Sequence, residues 1–421
     1  MDKFIINGGR TLQGNLEVSG AKNATLALMP AAILAPGKSV LMNTPELNDV
    51  FTMIKLLTQL GADINFYNHF LKIDTSKITD FIAPYEHVKK MRASVYVLGP
   101  LLGRYGQAKV SLPGGCAWGP RPINLHLEAL KKMGAEINLV DGYIEAKAKK
   151  LNGTNISFDI SSVGATGNTI MAAVLAKGTT VINNAATEPE ITNLVEFLIK
   201  MGAKIEGKGT KTITIEGVDE LNSVEIRTIP DRIEAGTLLI AAAMSRGKIT
   251  LTNVKFALLQ AVILKLESAG CKVEVAEKKI LLDASDLEIK PINISTSIFP
   301  GFPTDMQAQW TAFMSLANGT STVCDTIYFD RFKHVPELVR LGANILVNEN
   351  IAMISGVKEL KGAKVMSTDL RASASLVLAG LAAKGTTEVL RVYHLDRGYQ
   401  RIEEKLSSLG ADIVRVSGKE Y

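Results

Sequence analysis

Cysteine and long apolar runs are scarce in this sequence, and each scarcity excludes a class of protein. Only three of the 421 residues are cysteines, with no CxxC pair and no histidine cluster, so neither a disulfide framework nor a zinc site is expected. Apolar stretches such as residues 238–244 are far shorter than a membrane span, and the first residues lack the apolar segment of a signal peptide. We expect a cytoplasmic protein with reduced thiols, no metal and no membrane partner.

The charge balance also lacks a strong bias. Lysine and arginine number 47 against 42 acidic residues, a difference of +5 that is spread along the chain without a basic run. Nucleic-acid binding normally requires a clustered basic face, so no nucleic-acid partner is expected and an anionic small molecule fits better. The length exceeds one ordinary core and predicts two domains or a large composite fold.

Internal repetition is the strongest positive signal. A helix end followed by a strand start recurs six times around glycines that are 73, 68, 68, 72 and 68 residues apart: Gly61, Gly134, Gly202, Gly270, Gly342 and Gly410. Each fits a left-handed glycine that ends a helix. A second series in the same phase closes Ala/Leu-rich helices at Gly37, Gly106, Gly178, Gly247, Gly319 and Gly385.

Each repeat is predicted to contain an apolar helix, a strand, an amphipathic helix and two strands. In one such amphipathic helix the apolar stripe comprises Leu194, Phe197, Leu198 and Met201. The first helix of each repeat, for example residues 170–176, is apolar on all sides and must therefore be buried. Six repeats divide into two halves of three, with a boundary near Ile229–Pro230.

One loop carries an oddly placed thiol. Residues 111–122 read SLPGGCAWGPRP, in which glycines and prolines predict an irregular, exposed segment around Cys116. Inert thiols are usually buried, so Cys116 beside Arg121 is placed for chemistry. The alternative is a surface turn with an incidental cysteine.

Polar residues open the buried helices: Lys22, Arg92, Thr166, Asp231, Asp305 and Asp369 recur at about the repeat spacing. Helix capping is an alternative explanation, and we expect it for Thr166, Thr304 and Thr368; Asp305 taken alone would also be an N-cap. Cations such as Lys22, Arg92 and Arg371 oppose the helix dipole. Their presence predicts an anionic ligand at these helix N-termini.

Over essentially its whole length the chain resembles the enolpyruvyl transferases. The resemblance rests on Lys22-Asn23, the Pro-Gly-Gly-Cys loop, residues 302–307 (FPTDMQ) and residues 368–373 (TDLRAS). It implies an α/β fold, a two-domain inside-out α/β barrel of six βαβαββ repeats, three per domain, with buried helices and a cleft between the domains. Residues 1–21 and 230–421 would form the C-terminal domain, closed by the N-terminal strand. Residues 22–229 would form the N-terminal domain, with Cys116 on its lid loop.

The resemblance also implies a reaction without a cofactor, catalysed by a monomer. Phosphoenolpyruvate and UDP-N-acetylglucosamine would give the 3-O-enolpyruvyl sugar nucleotide and phosphate through a tetrahedral ketal, the first committed step of peptidoglycan synthesis. Cys116 would be the general acid, and Asp305 would accept the proton of the sugar 3-hydroxyl. Lys22 and Arg397 complete the implied catalytic set.

The remaining implied contacts divide by ligand. Phosphoenolpyruvate would be held by Lys22, Asn23, Arg121 and Arg397, because guanidinium groups match phosphate and carboxylate. The sugar nucleotide would contact Arg92, Arg121, Pro122, Ile123, Asn124, Leu125, Ser161, Ser162, Val163, Asp305 and Ile327. Asp231, Asp369 and Arg371 would lie in the cleft in roles that are structural or catalytic.

Two other functions remain open at this point. The sister enzyme, 5-enolpyruvylshikimate-3-phosphate synthase, shares the architecture but lacks the cysteine lid, and Cys116 with residues 121–125 (RPINL) argues against it. A non-enzymatic repeat protein would not need Lys22, Cys116, Asp305 and Arg397 together. Arg397 itself could instead form a plain loop salt bridge, and His126 and His394 could be structural.

Overall fold

The computed structural model describes residues 2–89, 91–112 and 123–417. These residues form two compact units, and the chain passes between them twice. The described residues of 1–19 and 230–421 make up one, the discontinuous unit, and those of 20–229 make up the other, the continuous unit.

Helices account for the apolar and amphipathic segments. Within the described residues the α-helices are α1 (Lys22–Ala31), α2 (Asn48–Gln59), α3 (Tyr85–Val88), α4 (Leu98–Tyr105), α5 (Asn124–Lys132), α6 (Val163–Ala173), α7 (Pro189–Met201), α8 (Arg232–Met244), α9 (Phe256–Ser268), α10 (Gln307–Met314), α11 (Val335–Arg340), α12 (Leu370–Ala382) and α13 (Ile402–Ser408). Short 3₁₀ helices span Ala32–Leu34, Arg92–Val97, Thr304–Met306 and Val392–Arg397.

Strands are short and numerous. Those of the described residues are β1 (Asp2–Asn7), β2 (Gln13–Glu17), β3 (Lys38–Met42), β4 (Asp63–Tyr67), β5 (Phe70–Asp74), β6 (Ile82–Ala83), β7 (Gln107–Ser111), β8 (Glu136–Val140), β9 (Tyr143–Lys147), β10 (Asn155–Ser157), β11 (Thr179–Asn183), β12 (Lys204–Glu206), β13 (Thr212–Glu216), β14 (Glu225–Arg227), β15 (Lys248–Thr252), β16 (Lys272–Ala276), β17 (Lys279–Asp283), β18 (Ile294–Ser295), β19 (Thr320–Cys324), β20 (Asn344–Asn348), β21 (Ile351–Ser355), β22 (Lys364–Met366), β23 (Thr386–Leu390) and β24 (Asp412–Ser417).

The strands form six four-stranded sheets, three in each unit. The discontinuous unit has the orders β16-β17-β15-β2, β18-β19-β21-β20 and β22-β23-β1-β24. The continuous unit has β14-β3-β5-β4, β6-β7-β9-β8 and β10-β11-β13-β12. All six sheets combine one parallel pair with two antiparallel pairs, the strand pairing expected of the predicted βαβαββ repeat. The sheets remain separate, and none of those described closes into a barrel.

Two strands are exchanged between distant parts of the chain. β2 precedes α1 in sequence but pairs in parallel with β15, with Leu16 opposite Leu251. β14 precedes α8 but pairs with β3, with Ile226 opposite Leu41. β1 lies between β23 and β24, so the N-terminal strand joins the discontinuous unit.

The apolar helices are buried, as predicted. α1, α4 and α6 in the continuous unit, and α8, α10 and α12 in the discontinuous unit, bury most of the residues they contain. A buried leucine or isoleucine side chain contributes about 1.5–3 kcal/mol relative to exposure, so these helices have to lie in the interior. Numbered by these helices in chain order, the repeats run from the first (α1) to the sixth (α12).

Amphipathic helices and alternating strands cover the buried helices. In α7 the predicted stripe of Leu194, Phe197, Leu198 and Met201 is buried. In β15 the inward residues Ile249 and Leu251 are buried while Lys248 is exposed, the alternation of a sheet with one face on the core.

The glycine series marks the helix ends. All six glycines of the first series have left-handed φ values, from 92° at Gly342 to 110° at Gly202, which confirms their predicted place. In the second series the fourth repeat differs, because the positive φ, of 53°, is found at Arg246 and not at Gly247. Gly247 is needed there for another reason: a Cβ would lie 2.3 Å from the Leu12 carbonyl oxygen.

None of the described helices is both long and apolar enough to cross a membrane.

Candidate active site

Asp305 lies between two arginines in the discontinuous unit. Its Oδ1 is 2.8 Å from Nη2 of Arg331, and its Oδ2 is 2.7 Å from Nη2 of Arg371. The arginine side chains are 8% and 6% exposed, whereas that of Asp305 is 26% exposed. Each carboxylate oxygen has a second lone pair, so the group is held on both sides and can still accept a hydrogen bond from a ligand.

Electrostatics keeps Asp305 ionised. Burial by itself would raise the pKa of this carboxyl, but the charges of Arg371 and Arg331 and their hydrogen bonds outweigh it and hold the pKa well below its usual range. Burial would likewise lower the pKa of Arg371, and the charge of Asp305 more than reverses this, so that the pKa is raised. At neutral pH the site therefore presents a carboxylate flanked by two guanidinium cations.

A buried network of hydrogen bonds holds Arg371 in place. Its Nη1 donates to the Tyr399 hydroxyl oxygen at 3.1 Å, and that hydroxyl lies 3.0 Å from Thr237 Oγ1 of α8. Gln309 of α10 donates from Nε2 to Tyr399 at 3.2 Å and to the Asp305 carbonyl at 3.0 Å. All three buried helices of this unit thus hold the Asp305–Arg371 pair.

A second chain of contacts reaches Asp305 from the Arg331 side. Thr304 Oγ1 accepts from Arg331 Nη1 at 2.9 Å and donates to Asp325 Oδ2 at 2.7 Å. The other oxygen of Asp325 accepts from the backbone N–H of Ile327 at 3.0 Å. Ile327, a predicted sugar-nucleotide contact, is therefore connected to Asp305 through hydrogen bonds.

Two of the predicted residues cap buried helices of the discontinuous unit. Asp231 caps α8 by accepting from Ile233 and Glu234, and Asp369 caps α12 by accepting from Arg371 and Ala372. Capping by Asp369 thus fixes the start of the helix that carries Arg371.

Three threonines expected to be caps are not, and that prediction was wrong. The Thr166 hydroxyl, inside α6, accepts from the Ala186 N–H; Thr304 bridges Asp325 and Arg331; and Thr368 donates to Asp369. The reason is that the caps fall elsewhere, at Ser162 for α6 and Asp369 for α12, while Pro303 precedes the 3₁₀ turn that carries Thr304. The alternative of Asp305 as an N-cap is also wrong, because its carboxylate is taken by the two arginines.

Arg397 ends a 3₁₀ helix, two residues before Tyr399. Its neighbour His394 is half-buried, and burial lowers the pKa of that imidazole. The negative charge of Asp369 acts against this lowering of the pKa, and the positive charge of Arg397 adds to it. The charges of Asp369 and Arg397 therefore both act on the imidazole of His394. The discontinuous unit contains six of the predicted residues: Asp231, Asp305, Ile327, Asp369, Arg371 and Arg397.

In the continuous unit, Lys22 begins α1 and is largely buried. Its Nζ lies 3.4 Å from Oδ2 of Asp49, whose side chain is 5% exposed. Asp49 lies in the first turn of α2, so an acid there suits the helix dipole as well. Asn23 follows Lys22 and is exposed.

The described segments that carry predicted sugar-nucleotide residues in this unit meet at one buried pair. Asn168 of α6 donates from Nδ2 to His126 Nδ1 at 3.0 Å and to the Val95 carbonyl at 2.9 Å. Its Oδ1 accepts from the Gly99 N–H at 2.7 Å. Burial lowers the pKa of His126 to about 4, so the ring is neutral and structural, as one alternative held.

This pair ties together three chain segments. α5 carries His126 and begins with exposed Asn124 and buried Leu125, just after half-buried Ile123. The start of α6 follows Ser161, with Ser162 as its cap and Val163 as its first residue; the Val163 carbonyl accepts from the Tyr96 hydroxyl at 3.3 Å. Tyr96 lies in the 3₁₀ helix that Arg92 begins.

Several predicted residues lie outside the described part of the chain. Cys116, Arg121 and Pro122 belong to residues 113–122, so the thiol and its neighbouring guanidinium remain predictions. Among the residues that are described, no group of three or more His, Cys, Asp or Glu side chains could hold a metal ion.

Sequence reasoning missed Arg331, Asp325 and Tyr399. Arg331 and Asp325 lie between β19 and α11, and Tyr399 lies just before α13, so none of them starts a buried helix. The repeat phase therefore gave no signal for them. Asp325 follows a strand directly, at a position where three of the other five repeats have asparagine, and that difference could have drawn attention to it.

Comparison with known proteins agrees with this architecture. Residues 6–406 match the family model described as EPSP synthase (3-phosphoshikimate 1-carboxyvinyltransferase). The chain belongs to this family, the enolpyruvyl transferases, as its sequence motifs predicted.

Full-length relatives carry a more specific name. The chain is 59% identical to the UDP-N-acetylglucosamine 1-carboxyvinyltransferase of Chloroherpeton thalassium, covering 100% of this chain and 99% of that protein. It is 55% identical to the protein of the same name from Geotalea uraniireducens, covering 99% and 100%, and 54% identical to that of Chlorobium limicola, covering 100% of both.

Solved structures agree on the fold. The enolpyruvyl transferase NikO of Streptomyces tendae is 25% identical with a TM-score of 0.90, covering 99% of each chain. The EPSP synthase of Acinetobacter baumannii is 17% identical with a TM-score of 0.77, covering 99% of this chain and 100% of that one. The predicted fold class of α/β repeats with buried helices is thereby confirmed.

Proposed function

We propose that this protein transfers the enolpyruvyl group of phosphoenolpyruvate to the 3-hydroxyl of UDP-N-acetylglucosamine, with release of phosphate. The observation that carries the proposal is its 54–59% identity, over essentially the full length, to relatives named for this transfer. The reaction is the first committed step of peptidoglycan synthesis. The 17% identity to an EPSP synthase supports a shared fold and not a shared acceptor.

The chemistry has two stages. In the addition, a proton goes to the methylene carbon of phosphoenolpyruvate while the sugar 3-oxygen bonds to C2 and loses its own proton, giving a tetrahedral ketal. In the elimination, the methyl carbon loses a proton, the bond from C2 to the phosphate oxygen breaks, and the vinyl ether forms. The protein must supply an acid, a base and cations for phosphate and carboxylate.

We assign the base to Asp305. Its carboxylate is ionised, fixed at both oxygens and partly exposed, which suits a hydrogen bond from the sugar hydroxyl. The low pKa makes it a weak base, so the proton is best accepted as the new C–O bond forms and the hydroxyl becomes acidic. Arg371 and Arg331 would hold the carboxylate in place during this step.

The remaining roles follow the family resemblance. Cys116 is assigned as the acid that protonates the methylene carbon, and Lys22, Asn23, Arg121 and Arg397 as the phosphoenolpyruvate-binding residues. Sugar-nucleotide binding is assigned to Arg92, the segment from Arg121 to Leu125, Ser161 to Val163 and Ile327. Asp231 and Asp369 are assigned the structural role of holding α8 and α12, since both cap those helices.

The proposal extends to the setting of the reaction. The two compact units are taken as the two domains, and Cys116 belongs to the loop of the continuous unit. The active protein is proposed to be a cytoplasmic monomer that needs neither metal nor cofactor.

A phosphate-release assay tests the proposal. The purified chain should release phosphate from phosphoenolpyruvate only when UDP-N-acetylglucosamine is present. Replacing the sugar nucleotide with shikimate-3-phosphate should abolish the release. Equal activity with shikimate-3-phosphate would overturn the acceptor assignment, and release without any acceptor would overturn transfer itself.

A further inference from the structure

Asp325 is a buried carboxylate that accepts four hydrogen bonds. It directly follows β19 and is fully buried. Its Oδ1 accepts from Thr296 Oγ1 at 2.8 Å and from the N–H groups of Ile327 and Tyr328, each at 3.0 Å. Its Oδ2 accepts from Thr304 Oγ1 at 2.7 Å. Four neutral donors replace water around a charge that would otherwise be costly to bury.

The other repeats show what this position needs for folding alone. After β3, β11 and β15, the first, third and fourth repeats have Asn43, Asn184 and Asn253. Each amide donates from Nδ2 to a backbone carbonyl just beyond the repeat's first strand, at Thr228, Phe158 and Val18, with distances of 2.7–2.9 Å. These three asparagines have positive φ values of 54–60°, whereas Asp325 does not, so the fifth repeat closes its turn with a different backbone conformation and a carboxylate acceptor.

The carboxylate orients the groups that hold Asp305. Because Thr304 Oγ1 donates its hydrogen bond to Asp325, a lone pair of the same oxygen faces Arg331. Nη1 of Arg331 donates to this oxygen at 2.9 Å. Arg331 then donates from Nη2 to Asp305. The same guanidinium lies 5.4 Å from the ring centroid of Tyr328, whose N–H Asp325 binds. Asp325 therefore reaches Arg331 by two routes.

We infer that Asp325 is a positioning residue that sets the Arg331–Asp305 ion pair through Thr304 and fixes the Ile327–Tyr328 backbone. The inference rests on the proposed function, because its effect is read in turnover. An asparagine at this position would keep an oxygen for Ile327 and Tyr328 but would turn an N–H towards Thr304. The threonine proton would then lose its acceptor, and the lone pair that faces Arg331 would no longer be enforced.

Steady-state kinetics separates the effect of Asp325 on the Arg331–Asp305 ion pair, which is read in kcat, from its effect on the Ile327–Tyr328 backbone, which is read in KM. Asp325→Asn should lower kcat roughly tenfold, which corresponds to about 1.4 kcal/mol of lost transition-state stabilisation, and should leave KM for UDP-N-acetylglucosamine nearly unchanged. Asp325→Ala, which also frees the Ile327 and Tyr328 amides, should raise that KM as well. Thr304→Val should lower kcat like Asp325→Asn, and Thr304→Ser, which keeps the hydroxyl, should restore it.

A double-mutant cycle tests the route through Thr304. If Asp325 acts through it, the kcat loss of the double variant Asp325→Asn/Thr304→Val falls short of the product of the single losses. Asn253→Asp, the reverse exchange at the residue that follows the corresponding strand of the fourth repeat, is the control, with kcat unchanged. Multiplicative losses, or wild-type kcat in both single variants, would overturn the inference.

The proposed function and the inference fail differently. An inactive wild-type chain, with no phosphate released from both substrates, rejects the proposed function. An active wild type with an unaffected Thr304→Val variant rejects the inference and leaves the function intact. If Asp325→Asn does not fold, the comparison of Thr304→Val with Thr304→Ser decides alone, since no restoration of kcat by serine would overturn the route.

Discussion

Replacing Asp305 by alanine should destabilise the discontinuous unit as well as stop turnover. The carboxylate separates two guanidinium groups, at 2.8 and 2.7 Å, whose side chains are only 8% and 6% exposed. Removing the shared partner of a buried pair typically costs about 3–5 kcal/mol, because it leaves uncompensated buried charge. For a unit of this size each kcal/mol lowers Tm by about 2–4 °C, so a fall of about 6–20 °C is expected.

Differential scanning calorimetry of the full chain measures this effect. The matched control is Glu216→Gln, which breaks a 2.7 Å ion pair with Lys204 in which both side chains are about 60% exposed. Exposed pairs contribute about 0–1 kcal/mol, so its Tm should move by a few degrees at most. A Tm shift in Asp305→Ala no larger than in Glu216→Gln would refute the claim that the carboxylate compensates two buried cations.

Three further predictions follow from other parts of the structure. His126 has a folded pKa of about 4, below its unfolded value of about 6.5. As the pH falls, the unfolded state therefore binds the proton first, and the free energy of unfolding should decrease by roughly 3 kcal/mol between pH 6.5 and pH 4. In urea titrations His126→Gln should lose this dependence of the unfolding free energy on pH, and an unchanged dependence would contradict the assignment. Asp49→Asn weakens the partner of Lys22 at 3.4 Å and should change KM for phosphoenolpyruvate more than KM for the sugar nucleotide; equal changes would argue against a phosphoenolpyruvate role. Burial raises the pKa of Cys271 to about 12, so at pH 8 alkylation followed by peptide mapping should label Cys116 well before it, and the reverse order would contradict an exposed, reactive Cys116.

Much of the fold could be predicted because one pattern is repeated six times. The glycines that end helices, the wholly apolar helices and the alternating strands each follow from local physics, and the repeat spacing put them in a common phase. The exchange of β2 and β14 has no such local signal. β2 pairs with a strand more than 230 residues away, and its residues alone do not specify that partner.

The site was partly predictable for the same reason. Asp305, Asp369 and Arg371 stand at starts of buried helices, so the repeat phase pointed to them. Arg331 and Asp325 lie in a connection without periodicity, and only their contacts with Thr304 and Asp305 reveal them. The capping error has a physical cause, since a threonine near a helix start can bond a distant partner as readily as its own helix.

Identification of the reaction product tests the central claim most directly. Purified protein would be incubated with phosphoenolpyruvate and UDP-N-acetylglucosamine, and the product would be examined by proton and phosphorus NMR. We predict free phosphate and a new pair of vinyl-ether methylene protons on an intact sugar nucleotide, with the 3-position of the sugar substituted. An unchanged sugar nucleotide, or a vinyl ether formed only when shikimate-3-phosphate is the acceptor, would contradict the proposed function.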